Sequence, residues 1–206
     1  MIQKTIKDHK RILFNGNGYD ETWIEEAETR GLMNYRTTPD CMPHLLDKKN
    51  VDMLTSHKVF TETELKSRCE IMLDNYCKTV VIEANTMVDM ARKQILPAVE
   101  AYTADLASSI AAKKAVAPEL ACGYETGLLT KLSGLTDQIA VKTDELEAAV
   151  LELKNYTDIK EESCAIRDTI LGKMAALRAV ADEAETQTSS EYWPFPTYGD
   201  LLFSVK

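Results

Sequence analysis

The feature that most constrains this chain is one long stretch, Thr61 to Ala117, whose pattern is that of a single helix. Its opening, Phe60-Thr61-Glu62-Thr63-Glu64-Leu65, carries a helix start. Thr61 can accept from the Glu64 amide, Glu64 can reach back to the Thr61 amide, and Phe60 and Leu65 can clamp the entry. Apolar side chains then recur at steps of three and four: Leu65, Cys69, Met72, Tyr76, Val80, Ala84, Met87, Ala91, Ile95, Val99, Tyr102, Leu106 and Ile110. That is a helical stripe, not a strand pattern. A continuous helix here would span roughly 80 Å at 1.5 Å per residue. It cannot bury its own stripe, so other segments must lie along it. Pro97 removes a backbone donor and crowds the carbonyl four residues earlier, at a cost of about 3 kcal/mol in a helix interior. Because the stripe resumes in phase at Val99, the sequence predicts a kink near Gln94 to Pro97 that divides a lower half from an upper half.

The flanking segments supply the partners. Asp20 is placed to cap a short helix, Glu21 to Arg30, that stops at Gly31. Thr38-Pro39-Asp40 reads as another start, with Thr38 as the cap and a helix to about Lys48. A third short helix covers about Asn50 to His57. These pieces are expected to cover the lower half of the long helix. After Ala117-Pro118 comes a heptad: Leu128, Leu132, Leu135, Ile139, Lys142, Leu146, Ala149, Leu153 and Tyr156. A last stripe follows a break at Asn155 to Asp158: Ile159, Ser163, Ile166, Ile170, Met174, Leu177, Ala181 and Ala184. Short connections between long helices imply antiparallel neighbours. The fold class expected is therefore all-α. A long kinked helix and helices over 118–155 and 158–188 form an antiparallel bundle, within a helical domain spanning 20–190.

Both ends differ in character from this domain. Within residues 1–19, Ile12, Leu13 and Phe14 form a short apolar run ended by Asn15-Gly16-Asn17-Gly18, which suits a strand running into a turn. No second strand is legible to pair with it, so it is expected to belong against structure outside the chain. Residues 191–206 hold five of the fourteen aromatics: Tyr192, Trp193, Phe195, Tyr198 and Phe203, with Leu202 beside them. Pro194 and Pro196 favour an extended run. So much apolar surface is expected to pack back on residues 10–60 or to dock on another domain or subunit. Ile12, Leu13, Phe14, Tyr192, Trp193, Phe195, Tyr198, Leu202 and Phe203 are the candidate interface residues.

Catalytic machinery is not legible. His9, His44 and His57 show no metal-binding spacing, and no paired Glu-x-x-His marks a bundle metal site. Glu83 and Asp89 suit a solvated face better than a ligand pair. Asn15-Gly16-Asn17-Gly18 lacks the lysine and the βαβ context of a phosphate loop, so a turn is the better reading. The five cysteines form no CxxC, which fits a reduced, cytoplasmic setting. A formal charge of −9 argues against nucleic acid as a partner. No apolar run approaches membrane-spanning length, and the opening residues do not read as a signal peptide. From the residues alone the expectation is a helical packing module with no catalytic, cofactor-binding or metal residue. Pairing through the 128–156 heptad as a free-standing interaction module is the alternative.

Three stretches together carry a resemblance: Lys7 to Tyr19; Ile82 to Met87 with Gln94 to Ala98; and Tyr192 to Phe203. The chain resembles the C-terminal region of type III glutamine synthetases. The resemblance implies a parent ligase that joins ammonia to glutamate through a γ-glutamyl phosphate, using ATP and Mg or Mn. It also implies a dodecamer of two hexameric rings, with the catalytic residues upstream of this region. Under it, residues 1–19 are the end of a catalytic domain. The chain itself is structural and inactive alone, with the catalytic domain of the same polypeptide and neighbouring subunits as partners.

Overall fold

The structure is a computed structural model that describes residues 1–203; the last three residues of the 191–206 tail assignment lie outside the described residues. Every regular element among the described residues is helical. The chain divides into two units, Met1–Cys69 and Glu70–Lys206.

The first unit holds α1 (Ile2–Asp8), α2 (Glu21–Thr29), α3 (Thr38–Cys41), α4 (Lys48–Ser56) and the start of α5 (Glu62–Met90). The strand predicted over Ile12 to Phe14 does not form. Lys10–Ile12 is instead a turn of 3-10 helix, with Leu13 N–H donating to the Lys10 carbonyl at 3.1 Å. A lone strand would leave its backbone unpaired, whereas this turn satisfies part of its own. Phe14 stacks on Trp23 with centroids 4.1 Å apart. The Arg30 guanidinium lies over the Trp23 ring at 5.5 Å and donates to the Leu13 carbonyl at 2.7 Å, which ties the segment to α2. A Cβ at Gly16 would meet the tip of the Phe14 ring at 2.4 Å, so a side chain there would displace that ring.

Asp20 caps α2 through the Thr22 amide at 3.1 Å, as its sequence predicts. Gly31, at φ +70, ends α2 in a Schellman arrangement: its amide reaches the Glu28 carbonyl, and the Leu32 amide reaches that of Ala27. The next cap lies one residue earlier than expected. Thr37, not Thr38, accepts from the Asp40 amide, and Thr38 and Pro39 occupy the first turn. That helix is also shorter than expected, since Met42–Leu46 tightens into 3-10 geometry before α4 begins. At the head of α5 the capping box forms: Thr61 N–H donates to Glu64 Oε2 at 2.7 Å, and Glu64 N–H to Thr61 Oγ1 at 3.3 Å. These bonds from Thr61 hold the Glu64 carboxyl below its ordinary range. Leu65 is fully buried within two turns of the cap, and Cys69 Sγ lies 3.4 Å from the Met42 carbonyl, so the short helices cover the first turns of α5.

The second unit is the bundle. α5 passes through a π turn at Ala91–Ile95 into α6 (Leu96–Val116), and these elements together form one 55-residue helix. The irregularity expected at Gln94 to Pro97 is this wide turn. The Leu96 amide bonds the Ala91 carbonyl, five residues back, and the donor that Pro97 lacks falls at the start of the next helical segment. α7 (Gly123–Glu152) follows, then α8 (Ile159–Ala165), a second π turn (Ile166–Ile170) and α9 (Leu171–Gln187). Asp158 caps α8 through the Lys160 and Glu161 amides.

Ion pairs give the directions. Arg92 meets Glu147 and Asp144, while Lys113 meets Glu125, so α7 runs antiparallel to the long helix. Lys131 meets Glu183 and Lys173 meets Glu145, so α9 runs antiparallel to α7. The core lies between these helices. Leu132, Ile139, Leu146, Ile166, Ile170 and Val99 are fully buried there. Each such side chain contributes about 1.5–3 kcal/mol relative to exposure.

Two stripe positions are corrected. At Lys142 the buried residue is its neighbour Thr143, whose hydroxyl donates to the Ile139 carbonyl at 2.7 Å, while Lys142 turns outward to Glu145. On the long helix the stripe deviates to Leu73, Cys77 and Val88; Met72 is exposed, and Tyr76 and Met87 flank the core. Tyr156, at the predicted end of the heptad, is exposed.

Candidate functional site

The tail makes the surface features that position the candidate residues. Thr188 ends α9 with its hydroxyl on the Ala184 carbonyl at 2.8 Å, and the Tyr192 and Trp193 amides bond back to the Ser189 carbonyl. This turn sends the chain across the bundle. Tyr192 packs on Tyr102 with centroids 5.1 Å apart, and its hydroxyl donates to the Asp105 carboxylate. That bond, then burial, raises the Tyr192 phenol above its ordinary value. Trp193 and Phe195 meet edge to face at 6.1 Å and pack against the core. The first half of the tail therefore docks on the chain's own bundle, which was not among the surfaces expected for it.

The second half is not extended. Thr197 caps a short helix, α10 (Tyr198–Leu202), through a complete capping box with Asp200. Tyr198, Leu202 and Phe203 are 85%, 74% and 78% exposed, and Leu201, absent from the sequence-based set, is exposed beside them. In the first unit Ile12 and Leu13 are exposed, and Phe14 is half-buried against Trp23. The nine candidates thus separate. Tyr192, Trp193, Phe195 and Phe14 serve packing within their own unit, and Ile12, Leu13, Tyr198, Leu202 and Phe203 offer apolar surface to solvent.

Trp193 and Phe195 also wall a cleft of about 280 Å³ with Met87, Met90, Ile95 and Leu177. Its one sequence signal was the Trp-Pro-Phe run, because the facing small residues, Ala91 and Ala181, are ordinary stripe positions.

Arg92 projects from the first π turn and forks onto α7. Its two terminal nitrogens meet the two Glu147 oxygens at 2.7 and 2.6 Å, and one also reaches Asp144 at 2.8 Å. This raises the Arg92 pKa further and lowers that of Glu147, mainly through the hydrogen bonds themselves. It is a structural clamp with its charges already paired. Cys77 is buried, and burial, followed by the nearby Glu162 and Asp74 carboxylates, pushes its thiol up to about 11. It stays protonated near neutral pH and is a poor nucleophile. Among the described residues no cluster of three His, Cys, Asp or Glu could hold a metal ion, and no helix is long and apolar enough to cross a membrane.

Fold and surface together define a class: a helical bundle module that presents exposed apolar side chains. The sequence profile of the glutamine synthetase C-terminal domain matches residues 1–114. A glutamine synthetase of Butyrivibrio fibrisolvens is 38% identical over 206 residues, covering all of this chain and 29% of the relative. A type-3 glutamine synthetase of Dictyostelium discoideum is 26% identical over 98% of this chain and 28% of its own length. A glutamine synthetase of Bacteroides fragilis is 28% identical over 99% of this chain. The chain belongs to the glutamine synthetase C-terminal domain family, and it spans less than a third of the length of these curated relatives.

Proposed function

We propose that this chain is the helical C-terminal part of a type III glutamine synthetase, and that its role there is structural. The observation that carries the reading is the end-to-end match to the Butyrivibrio protein, which uses all of this chain and 29% of the relative. The remaining length of such a protein would hold the ligase chemistry. There glutamate, ammonia and ATP would yield glutamine through a γ-glutamyl phosphate, with Mg or Mn neutralising the phosphates. The partners are then the catalytic part of the same polypeptide and neighbouring subunits in a cytoplasmic dodecamer of two hexameric rings. Two separate exposed sets are suited to them: Ile12 and Leu13 in the first unit, and Tyr198, Leu202 and Phe203 in the second.

The free-standing coiled-coil alternative has less support. Its heptad, from Leu128 to Leu153, is buried between the long helix and α9 of the same chain. It offers no second helix an unused seam on α7.

The test has two arms. The purified chain, supplied with glutamate, ammonia, ATP and Mg or Mn, should release no phosphate coupled to glutamine. Stoichiometric glutamine formation by this chain alone would end the structural reading. In a parent polypeptide, replacing Tyr198, Leu202 and Phe203 together by Ser should impair assembly and activity while leaving the bundle's helical melting in place. An unchanged oligomer would remove those residues from the interface.

A further inference from the structure

A second cleft, of about 350 Å³, lies where α9 ends and the tail turns back, and it takes in the start of α10. Trp193 and Phe195 line it, and their rings stand at 74° to one another, so they form a corner rather than a parallel stack. Two carboxylates line it as well, those of Glu185 and Asp200. The Glu185 side chain makes no hydrogen bond or ion pair among the described residues, unlike Glu183 and Asp182 nearby, which meet Lys131 and Arg178. Asp200 accepts both Thr197 bonds on one oxygen, Oδ2, and they leave Oδ1 unused. The remaining lining residues, Thr188, Ser190 and Thr197, bring hydroxyls. Those of Thr188 and Thr197 donate to the Ala184 carbonyl at 2.8 Å and to Asp200 at 2.6 Å, so neither has a proton left for an anion. No lysine, arginine or histidine among the described residues lines the cleft. Two negative charges therefore border it with no positive one to balance them. It also sits at the C-terminal end of a 17-residue helix, α9, and such an end favours positive charge.

We propose that this cleft binds a small alkylammonium ion. The charged head sits in the corner of Trp193 and Phe195, where aromatic faces attract a cation, and Glu185 and Asp200 balance its charge. A bare metal ion is a poor fit, because no group of three His, Cys, Asp or Glu among the described residues gathers to hold one. An alkylated head also buries apolar surface against the rings, which a hydrated metal ion does not. The tail is then part of a site as well as a packed segment, since it supplies the rings while α9 supplies Glu185.

Choline and 3,3-dimethylbutan-1-ol have one shape, and only the first is charged. The chain has two tryptophans, so its ¹H–¹⁵N spectrum holds two indole signals, and W193F identifies that of Trp193 by deleting it. If W193F fails to fold, W23F, in the first unit, assigns the pair by the same elimination. Choline should shift the Trp193 signal saturably. The neutral alcohol should bind roughly tenfold more weakly, the combined effect of ring and carboxylate attraction. E185Q should weaken choline about twofold to fivefold and leave the alcohol unchanged. The proposal is overturned if choline fails to saturate in the millimolar range, or if the Trp23 signal moves instead. It is overturned if the alcohol binds as tightly as choline, or if E185Q leaves the ratio of the two affinities unchanged. It is overturned equally if a longer polypeptide containing this chain no longer binds choline, because the cleft is then filled by protein.

Discussion

Tyr192, Trp193 and Phe195 lie against the bundle, while Tyr198, Leu201, Leu202 and Phe203, a few residues later, stand in solvent. The two halves of the tail have the same apolar character, so hydrophobicity does not distinguish them. What differs is the opposing surface. The first half meets Tyr102, Asp105 and a cleft where Ala91 and Ala181 leave room for rings. The second half closes on itself through the Thr197–Asp200 capping box, and its Tyr198, Leu202 and Phe203 stay exposed. A helix of five residues has little stability of its own, and its Tyr198 and Leu202 side chains are exposed. Burial demand is written in composition, but the place of burial is set by the shape of another element.

This contrast can be broken by experiment, most strongly by truncation. Removing residues 191–206 should lower the melting temperature clearly and increase binding of a hydrophobic dye, because the core under Trp193 opens. Removing only 197–206 should leave melting unchanged and decrease dye binding. Equal melting shifts for the two truncations would erase the distinction. Next in size, Trp193→Ala should cost about 2–3 kcal/mol in urea unfolding, below the value for a fully buried Trp because this ring is only partly covered. Phe203→Ala should stay within about 0.5 kcal/mol.

Smaller effects sharpen the picture by pH. The bond from Tyr192 to Asp105 raises the phenol above its ordinary value of 10.0, so the folded state holds this proton more tightly than the unfolded one. Its contribution is fully present below that pH and is lost as pH rises through the folded value. Tyr192→Phe should remove this segment of alkaline destabilisation in a melting series. The smallest effect is expected at Asp200, whose carboxyl the Thr197 hydroxyl and then the Thr197 amide lower below the ordinary 3.8. That contribution is present above the ordinary value and lost as pH falls through the folded one. Asp200→Asn should fray α10 by NMR chemical shifts, with no change in the melting of the bundle.

Legibility in the sequence varied with the range of the interaction. The caps at Asp20 and Thr61, and the stop at Gly31, depend on neighbours within a few residues and were readable with little error. The Thr37 cap was misplaced by one residue, because two adjacent threonines offer the same hydroxyl and backbone direction alone selects between them. On α7 the heptad matched except at Lys142, where Thr143 takes the inward position; its hydroxyl is satisfied locally, and Lys142 keeps its ammonium with Glu145. The long helix drifted further, toward Leu73, Cys77 and Val88, since a stripe several residues wide does not state which edge its partners will cover. The candidate surface was legible as a list of apolar residues near the ends. Its division into packed and exposed halves was not, and neither was the cleft that Trp193 walls.

The sequence alone settled the helical bundle, the starts of α2 and of the long helix, an irregularity before Pro97 and the family to which the chain belongs. All of these rest on local hydrogen bonding, on a 3.6-residue period or on residue identity. Tertiary structure alone decided that the break is a π turn with Arg92 clamped to α7, and that the apolar run at Ile12 curls into 3-10 geometry beside Trp23. It also decided that Trp193 roofs a cleft while Phe203 stays exposed. The reason is that each of these depends on which distant surface lies opposite, and only the packed helices fix that.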